Sequence, residues 1–206
     1  MCIRDRVIGG GTAGVNAARV ATGIGADVTI VEVDVERMRF LDITLQEAHT
    51  LYSTEANISS LLPRVDLIIG AVLIPGAAAP KLITRDMLKQ MAPGSVFVDI
   101  AIDQGGCSET SRPTDHDNPT YFDEDVLHYC VTNMPGAYSR TATQALNNVT
   151  TRWTALLAAN DLQTACRNQP ELLSAINCTG GKLTCPPVGE AHSLSTVSPA
   201  EVLELH

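Results

Sequence analysis

Two groups of residues have the types and spacing to do chemistry. The first is Gly9-Gly10-Gly11-Thr12-Ala13-Gly14, a G-x-G-x-x-G pattern. A helix-compatible run follows it (Val15–Gly23). The β-branched run Val28–Val33 comes next and carries an acid, Glu32, at its end. In that setting each glycine has a mechanical task. Gly9 permits a tight turn, Gly11 lets backbone approach a pyrophosphate, and Gly14 lets the helix pack close to the strand. The helix N-terminus then aims its unpaired N–H groups at the phosphates. Glu32 lies 18 residues past Gly14, near the position expected of a ribose ligand. A carboxylate there accepts a hydrogen bond from a ribose 2′-OH and repels a 2′-phosphate, so NAD is expected over NADP. Arg37, one turn into the next helix, tempers that exclusion because it reaches toward the adenosine ribose. The plainer alternative is a glycine-rich turn beside a solvated Glu32.

The second group is Val98-Asp99-Ile100-Ala101-Ile102-Asp103-Gln104-Gly105-Gly106-Cys107, a strand running into a polar, glycine-rich loop. Ligands of parallel α/β sheets bind beyond the C-terminal ends of the strands. Asp103 is therefore placed to meet the nicotinamide end of a cofactor, and Gly105 and Gly106 allow close backbone approach. Taken by itself, Asp103 serves equally well as a helix or turn cap. Asn133-Met134-Pro135 is placed in the same way after a later strand. Asn133 is a candidate hydrogen-bonding group and Met134 a candidate packing surface, with a plain turn as the alternative.

These groups need a scaffold that brings strand ends together. Continuously apolar strands are predicted at Val28–Val33, Asp66–Val72, Ser95–Ile100 and His128–Thr132, with helices over Val35–Glu47 and Thr84–Met91. Strands of this kind alternating with helices indicate a parallel sheet covered on both faces. The pattern changes after Pro135-Gly136. Arg140–Asn160 reads as one long helix with Ala145, Val149, Trp153, Leu156 and Leu157 on one face. Helices at Leu162–Arg167 and Pro170–Ile176 follow. Gly180-Gly181 and Pro186-Pro187 read as turns, and Pro199–Leu205 as a last short helix. This tail is expected to be unable to close a core of its own. The chain thus divides into residues 1–135, a nucleotide-binding domain, and 136–206, a helical segment. The start is anomalous, because Arg4, Asp5 and Arg6 stand where the buried strand before the glycine loop should run. Met1–Arg6 reads as a non-native scar of cloning or assembly, with a frayed strand edge as the alternative.

Composition narrows the partners. A net charge of −9 with no basic cluster argues against nucleic acid. The most apolar stretch, Leu67–Ala79, is too short to cross a membrane and is broken by Gly and Pro. The six cysteines form no CxxC pair and no zinc spacing, so no metal is expected. They read as free thiols in a reducing cytoplasm.

The runs VDIAIDQGGCSETSRPT (Val98–Thr114), GGGTAG, DLIIGAVLIPGAAAPKLI (Asp66–Ile83) and VTNMPGAYSRTATQAL (Val131–Leu146) resemble alanine dehydrogenases from Val7 to about Arg167. The related transhydrogenase α subunits share the glycine loop and a QGG, but lack the Cys-x-Glu-x-Ser-Arg-Pro-Thr continuation found here. The resemblance implies a Rossmann-type, doubly wound α/β fold with a helical C-terminal tail, a cytoplasmic location and a homo-oligomer, a hexamer. It implies NAD as cofactor, with L-alanine and pyruvate as the parent's substrates. Under it, Thr12 and Ala13 sit in the phosphate loop beside Gly9, Gly11 and Gly14. Glu32 replaces the family's usual ribose-binding Asp. Arg37 and Ser53 correspond to adenosine-side contacts, while Val72 and Leu73 line the adenine-ribose cleft. Ile100, Ala101, Ile102 and Asp103 face the nicotinamide ribose, with Asp103 in the family's catalytic position. Arg112 and Val131, Thr132, Asn133 and Met134 complete the cofactor contacts; the plain alternative for Arg112 is a surface salt bridge. The five histidines match no catalytic position and read as structural or solvated. The family's substrate domain, with its catalytic His and its substrate-binding Lys and Arg, precedes the glycine loop and is expected to be missing here. The chain alone is therefore expected to be inactive. Two rivals stand beside this reading: the NAD-binding domain of a transhydrogenase α subunit, and a non-catalytic NAD-binding module.

Overall fold

The computed structural model describes residues 3–205 and divides into two compact units. The first comprises residues 3–74 and 78–134, and the second 75–77 and 135–205. Met1, Cys2 and His206 lie outside the described residues, and with them part of the suspected scar, one of the expected thiols and one histidine.

Seven strands make the sheet of the first unit: β1 (Arg4–Ile8), β2 (Asp27–Glu32), β3 (His49–Tyr52), β4 (Leu67–Gly70), β5 (Val96–Asp99), β6 (Thr120–Asp123) and β7 (Val126–Tyr129). Their order is β3-β2-β1-β4-β5-β7-β6, parallel throughout except for the antiparallel β6–β7 pair. Among the described residues four α-helices lie within this unit: α1 (Thr12–Gly23), α2 (Val35–Thr44), α3 (Glu55–Leu61) and α4 (Arg85–Leu88). The continuous apolar runs are explained by burial on both faces. Val7, Ile30 and Ile69 pack with Val15, Ala18 and Leu41, whereas their chain neighbours Ile8, Val31 and Ile68 pack with Ile58, Leu88 and Phe97. This is the doubly wound arrangement. The strand order reverses between β1 and β4, so the C-terminal ends of those two strands open a crevice there.

Several local expectations are corrected. Arg4–Arg6 is neither frayed nor at an edge. It belongs to β1, paired on one side to β2 and on the other to β4, and Asp5 and Arg6 are buried there. The expected strand His128–Thr132 runs instead from Val126 to Tyr129 as part of a hairpin. Glu124 and Asp125, both at positive φ, make its two-residue turn without the usual Asn-Gly signature. β3, α3 and β6 were not legible as elements.

In the second unit, α5 (Ser139–Ala159) and α6 (Leu162–Asn168) follow the expected bounds closely. Residues Pro170–Ala175 form a 3-10 turn rather than an α-helix. The hairpin β8 (Cys178–Thr179) and β9 (Lys182–Leu183) turns at Gly180-Gly181. Pro186-Pro187 opens α7 (Pro186–His192) instead of breaking the chain, since proline suits a first helical turn. The last helix, α8, covers Pro199–Val202. The unit does close a small core: Ala165, Cys166 and Leu172 are buried, with Trp153, Leu156 and Leu203 packed on them. Val149 and Leu157, assigned to the same α5 face, stay exposed. No described helix is long and apolar enough to cross a membrane.

Candidate functional site

The glycine loop sits between the end of β1 and the start of α1. Gly9 has φ +104, and a Cβ there would stand 2.7 Å from the Ala71 carbonyl oxygen. A Cβ on Gly14 would collide with the Gly9 carbonyl oxygen, so α1 approaches the loop as only glycine permits. A side chain on Gly11, by contrast, meets nothing within 4 Å. Gly11 caps α1 with no side-chain hydrogen bond, leaving the first-turn N–H groups of Thr12 and Ala13 open to a ligand. Thr12 and Ala13 are exposed. An uncapped helix N-terminus behind a flat glycine face is the cradle a pyrophosphate requires.

Glu32 and Arg37 bracket this loop. The Glu32 Oε2 accepts the Gly10 N–H at 2.7 Å, and its Oε1 accepts the N–H groups of Val33 (2.7 Å) and Asp34 (3.0 Å). Arg37 Nε donates to the Gly10 carbonyl at 2.7 Å. Arg37 is set by the N-cap of α2, where Asp34 accepts the N–H groups of Glu36 and Arg37. Its guanidinium stacks on Phe40, 5.0 Å from the ring centroid. Ser53, at the end of β3, donates its N–H to the Glu32 carbonyl and lines a 230 Å³ cavity with Thr54, Glu55 and Lys81.

Across the crevice, β5 ends at Asp99 and runs into a 3-10 turn, Ile100–Gln104. A 220 Å³ cavity here is lined by Ala13, Ala71, Val72, Leu73, Ile100, Ala101, Asp103 and Gln104. The fold thus gathers six residues singled out from sequence (Ala13, Val72, Leu73, Ile100, Ala101 and Asp103) around one space. Asp103 is exposed, whereas Ile102 is buried and does not line it. The Gln104 side-chain oxygen beside it is buried without a partner among the described residues. Cradle, acceptor carboxylate and apolar cavity together fit a dinucleotide.

The structure keeps Arg112 and Val131–Met134 out of this cavity lining. The Arg112 guanidinium lies 3.8 Å from the Tyr121 ring centroid, and the Arg112 backbone N–H donates to the Tyr121 hydroxyl. Val131 is buried and bridges to Thr114. Asn133 adopts φ +54, and its carbonyl faces His116 Nε2 at 3.3 Å. Gly105 is open on its Cβ side, whereas Gly106 packs against Asp99 and Ser111.

Sequence reasoning assigned no role to Asp99 or Lys81, and read His128 as structural or solvated, which its burial bears out as structural. Asp99, fully buried, accepts the N–H groups of Ala101 (3.0 Å) and Cys107 (2.9 Å) and the Ser111 hydroxyl (2.5 Å). Lys81 Nζ donates to the carbonyls of Gly105 (2.5 Å), Gly106 (2.9 Å) and Ser108 (3.0 Å). His128 is fully buried, its Nδ1 donating to the Val126 carbonyl (2.9 Å) and its Nε2 facing the Thr110 hydroxyl (2.8 Å). Burial pushes the His128 pKa down, so the ring is held neutral. Burial, reinforced by Asp99, pushes the Cys107 thiol well up and keeps it protonated. The five described cysteines are free thiols.

Comparison with known proteins agrees with this geometry. The family model described as "Alanine dehydrogenase/PNT, C-terminal domain" matches residues 4–186. An alanine dehydrogenase of Halomonas elongata is 51% identical over 97% of this chain and 54% of its own length. A solved L-alanine dehydrogenase superposes with a TM-score of 0.81 at 42% identity, over 93% of this chain and 53% of its own. A transhydrogenase of Sinorhizobium meliloti superposes with a TM-score of 0.68 at 26% identity, over 79% of this chain and 49% of its own. The chain spans about half the length of the curated relatives it matches.

Proposed function

The chain belongs to the family of alanine dehydrogenase/PNT C-terminal domains, and from that premise we propose that it is the NAD-binding portion of an alanine dehydrogenase. The parent reaction is L-alanine, NAD and water giving pyruvate, ammonium and NADH, reversibly. One observation carries the reading: an uncapped glycine-loop helix and an Asp103-bearing loop meet around a single cavity where the strand order reverses. Bound NAD supplies the hydride acceptor; the protein supplies alignment and electrostatics. The open N–H groups at the start of α1 hold the pyrophosphate. Glu32 offers an acceptor to the adenosine ribose and repels a 2′-phosphate, while Val72 and Leu73 pack on the adenine-ribose side. Ile100 and Ala101 form the wall at the nicotinamide ribose. Asp103, exposed at that wall, holds and polarises the water that attacks the oxidised substrate carbon. Arg112 and Val131–Met134, outside the cavity lining, serve the cofactor from its periphery.

The alanine-gripping half of the site belongs, in this reading, to a substrate domain of the full-length protein. Residues 136–206 return toward that domain, and this chain alone does not oxidise alanine. The full protein is proposed to be a cytoplasmic homo-oligomer, a hexamer, with no nucleic-acid or membrane partner. A transhydrogenase subunit is the second reading. The lower similarity of the transhydrogenase and the run Cys107–Thr114 favour the dehydrogenase. A non-catalytic NAD-binding module is the third. The test follows NADH absorbance with L-alanine and NAD, using this chain and the chain extended to its relatives' full length. Turnover by the extended protein alone is expected. Turnover by neither overturns the dehydrogenase reading, and comparable turnover by both overturns the separate substrate domain.

A further inference from the structure

The loop that carries Asp103 is held partly by backbone bonds, among them the Ala79 N–H to the Gln104 carbonyl (2.9 Å), the Gly106 N–H to the Ala101 carbonyl (3.0 Å) and the Glu109 N–H to the Ile83 carbonyl (3.0 Å). Beyond the short 3-10 turn Ile100–Gln104 it reaches Ser111 with one isolated bridge, at Ser108, so side chains carry much of the rest. Two charged side chains sort its peptide groups by sign. Asp99 takes two N–H donors and a hydroxyl from within the loop, Ala101, Cys107 and Ser111. The Lys81 ammonium takes three carbonyls, those of Gly105, Gly106 and Ser108. Bonds to charged groups are the strong ones, and Asp99 lies at 0% exposure, where each is strengthened further. Asp103 lies between the two anchors, fixed at Asp99–Ala101 on one side and Gly105–Gly106 on the other.

We infer that Lys81 and Asp99 are positioning residues that hold Asp103 and the Ile100–Gln104 wall in register with the nicotinamide end of the cofactor; the inference rests on the cofactor reading above. Both act through the loop they hold, Lys81 at its carbonyls and Asp99 at two of its N–H groups and the Ser111 hydroxyl. Lys81 is the cleaner probe, because its stem is exposed and Lys81→Met keeps the length while removing the donor. Lys81→Arg keeps charge and donors. Loss of a charged hydrogen-bonding anchor at this wall is expected to weaken binding about tenfold.

The experiment titrates this chain and its variants with NADH and, separately, with ADP, which lacks the nicotinamide end. It also follows the Asp103 backbone amide by NMR as NADH is added. Lys81→Met is expected to weaken NADH about tenfold, leave ADP within twofold and abolish the NADH-induced shift of the Asp103 amide. Lys81→Arg is expected to restore all three. Equal losses for NADH and ADP mean general loosening and overturn the inference, as does an unaltered Asp103 response to NADH. Wild-type chain that binds ADP but gains nothing from the nicotinamide end overturns the reading of the cavity, and the inference with it.

Discussion

The Glu32 carboxylate and the Gly10 N–H are 2.7 Å apart, a bond that ties the end of β2 to the turn after β1. Arg37 closes the bracket on the other side of the same residue, at the Gly10 carbonyl. Glu32 therefore shapes the loop, beside the ribose-binding role proposed for it. The longer side chain of Glu folds back far enough to take three backbone donors while keeping acceptor capacity for a ligand.

Glu32→Ala should weaken NAD binding and narrow the preference over NADP together. A carboxylate hydrogen-bonded at a half-buried site contributes on the order of 1–3 kcal/mol. Calorimetric titration with each dinucleotide measures both effects. Wild-type chain binding NADP as tightly as NAD would refute the discriminating role of Glu32.

Asp103→Asn in the full-length protein should cut turnover by about a hundredfold or more, the scale of one general acid–base group, while NAD affinity stays within a few-fold. The side chain is exposed at the cavity wall and makes no hydrogen bond that the loop depends on among the described residues. Steady-state kinetics beside a binding titration separate the two quantities. Near-normal turnover would reduce Asp103 to a turn residue.

Asp5 should make the fold less stable as pH rises. Burial in the central strand, with Asp66 and Asp27 adding to it against an opposing Arg6, raises its pKa above 3.8. The neutral form is favoured in the folded state, so its stability contribution is complete below 3.8 and is lost as pH rises through the folded pKa. Asp5 Oδ1 has no hydrogen-bond partner among the described residues, and the strand register sets the residue between Val28 and Leu67. Asp5→Val should raise stability near neutral pH by about 1–3 kcal/mol and remove that slope. Urea unfolding at acid and neutral pH provides the check, and a destabilised variant would contradict it.

His128 works in the opposite direction. Its pKa is pushed below 6.5 by burial, so its contribution is present above 6.5 and is lost as pH falls through the folded value. The neutral ring accepts from the Thr110 hydroxyl, which is also bonded to the buried Ser108 hydroxyl. Protonation reverses that chain inside the core. Unfolding midpoints should fall in mildly acid buffer, and His128→Gln should flatten the fall while lowering stability at neutral pH. An acid-insensitive wild type would count against the buried neutral ring.

What could be read from the chain depended on whether the signal was local. The glycine spacing, the acid after β2 and the apolar runs Val28–Val33, Asp66–Val72 and Ser95–Ile100 are local patterns, and each landed on its element to within two residues. β3 and β6 are edge strands with half-exposed patterns and carry little such signal. β1 was obscured by Arg4, Asp5 and Arg6, whose charges contradict a central position that only pairing on both sides reveals.

The sequence by itself determined that a dinucleotide loop, a parallel sheet and an acid at residue 103 are present, because glycine geometry and hydrophobic period act over a few neighbouring residues. Tertiary structure decided which of the singled-out residues share a space. Ala13, Val72, Leu73, Ile100, Ala101 and Asp103 surround one cavity while Arg112 does not line it, since strand order fixes which chain ends meet. It also decided what Lys81 and Asp99 bind. Their partners are backbone groups of a loop, 24 to 27 residues away for Lys81, with one hydroxyl, that of Ser111, at Asp99, and backbone polar groups carry no mark in the sequence. Folding must satisfy them once they are buried, and the side chain that does so is known only when the loop's path is known.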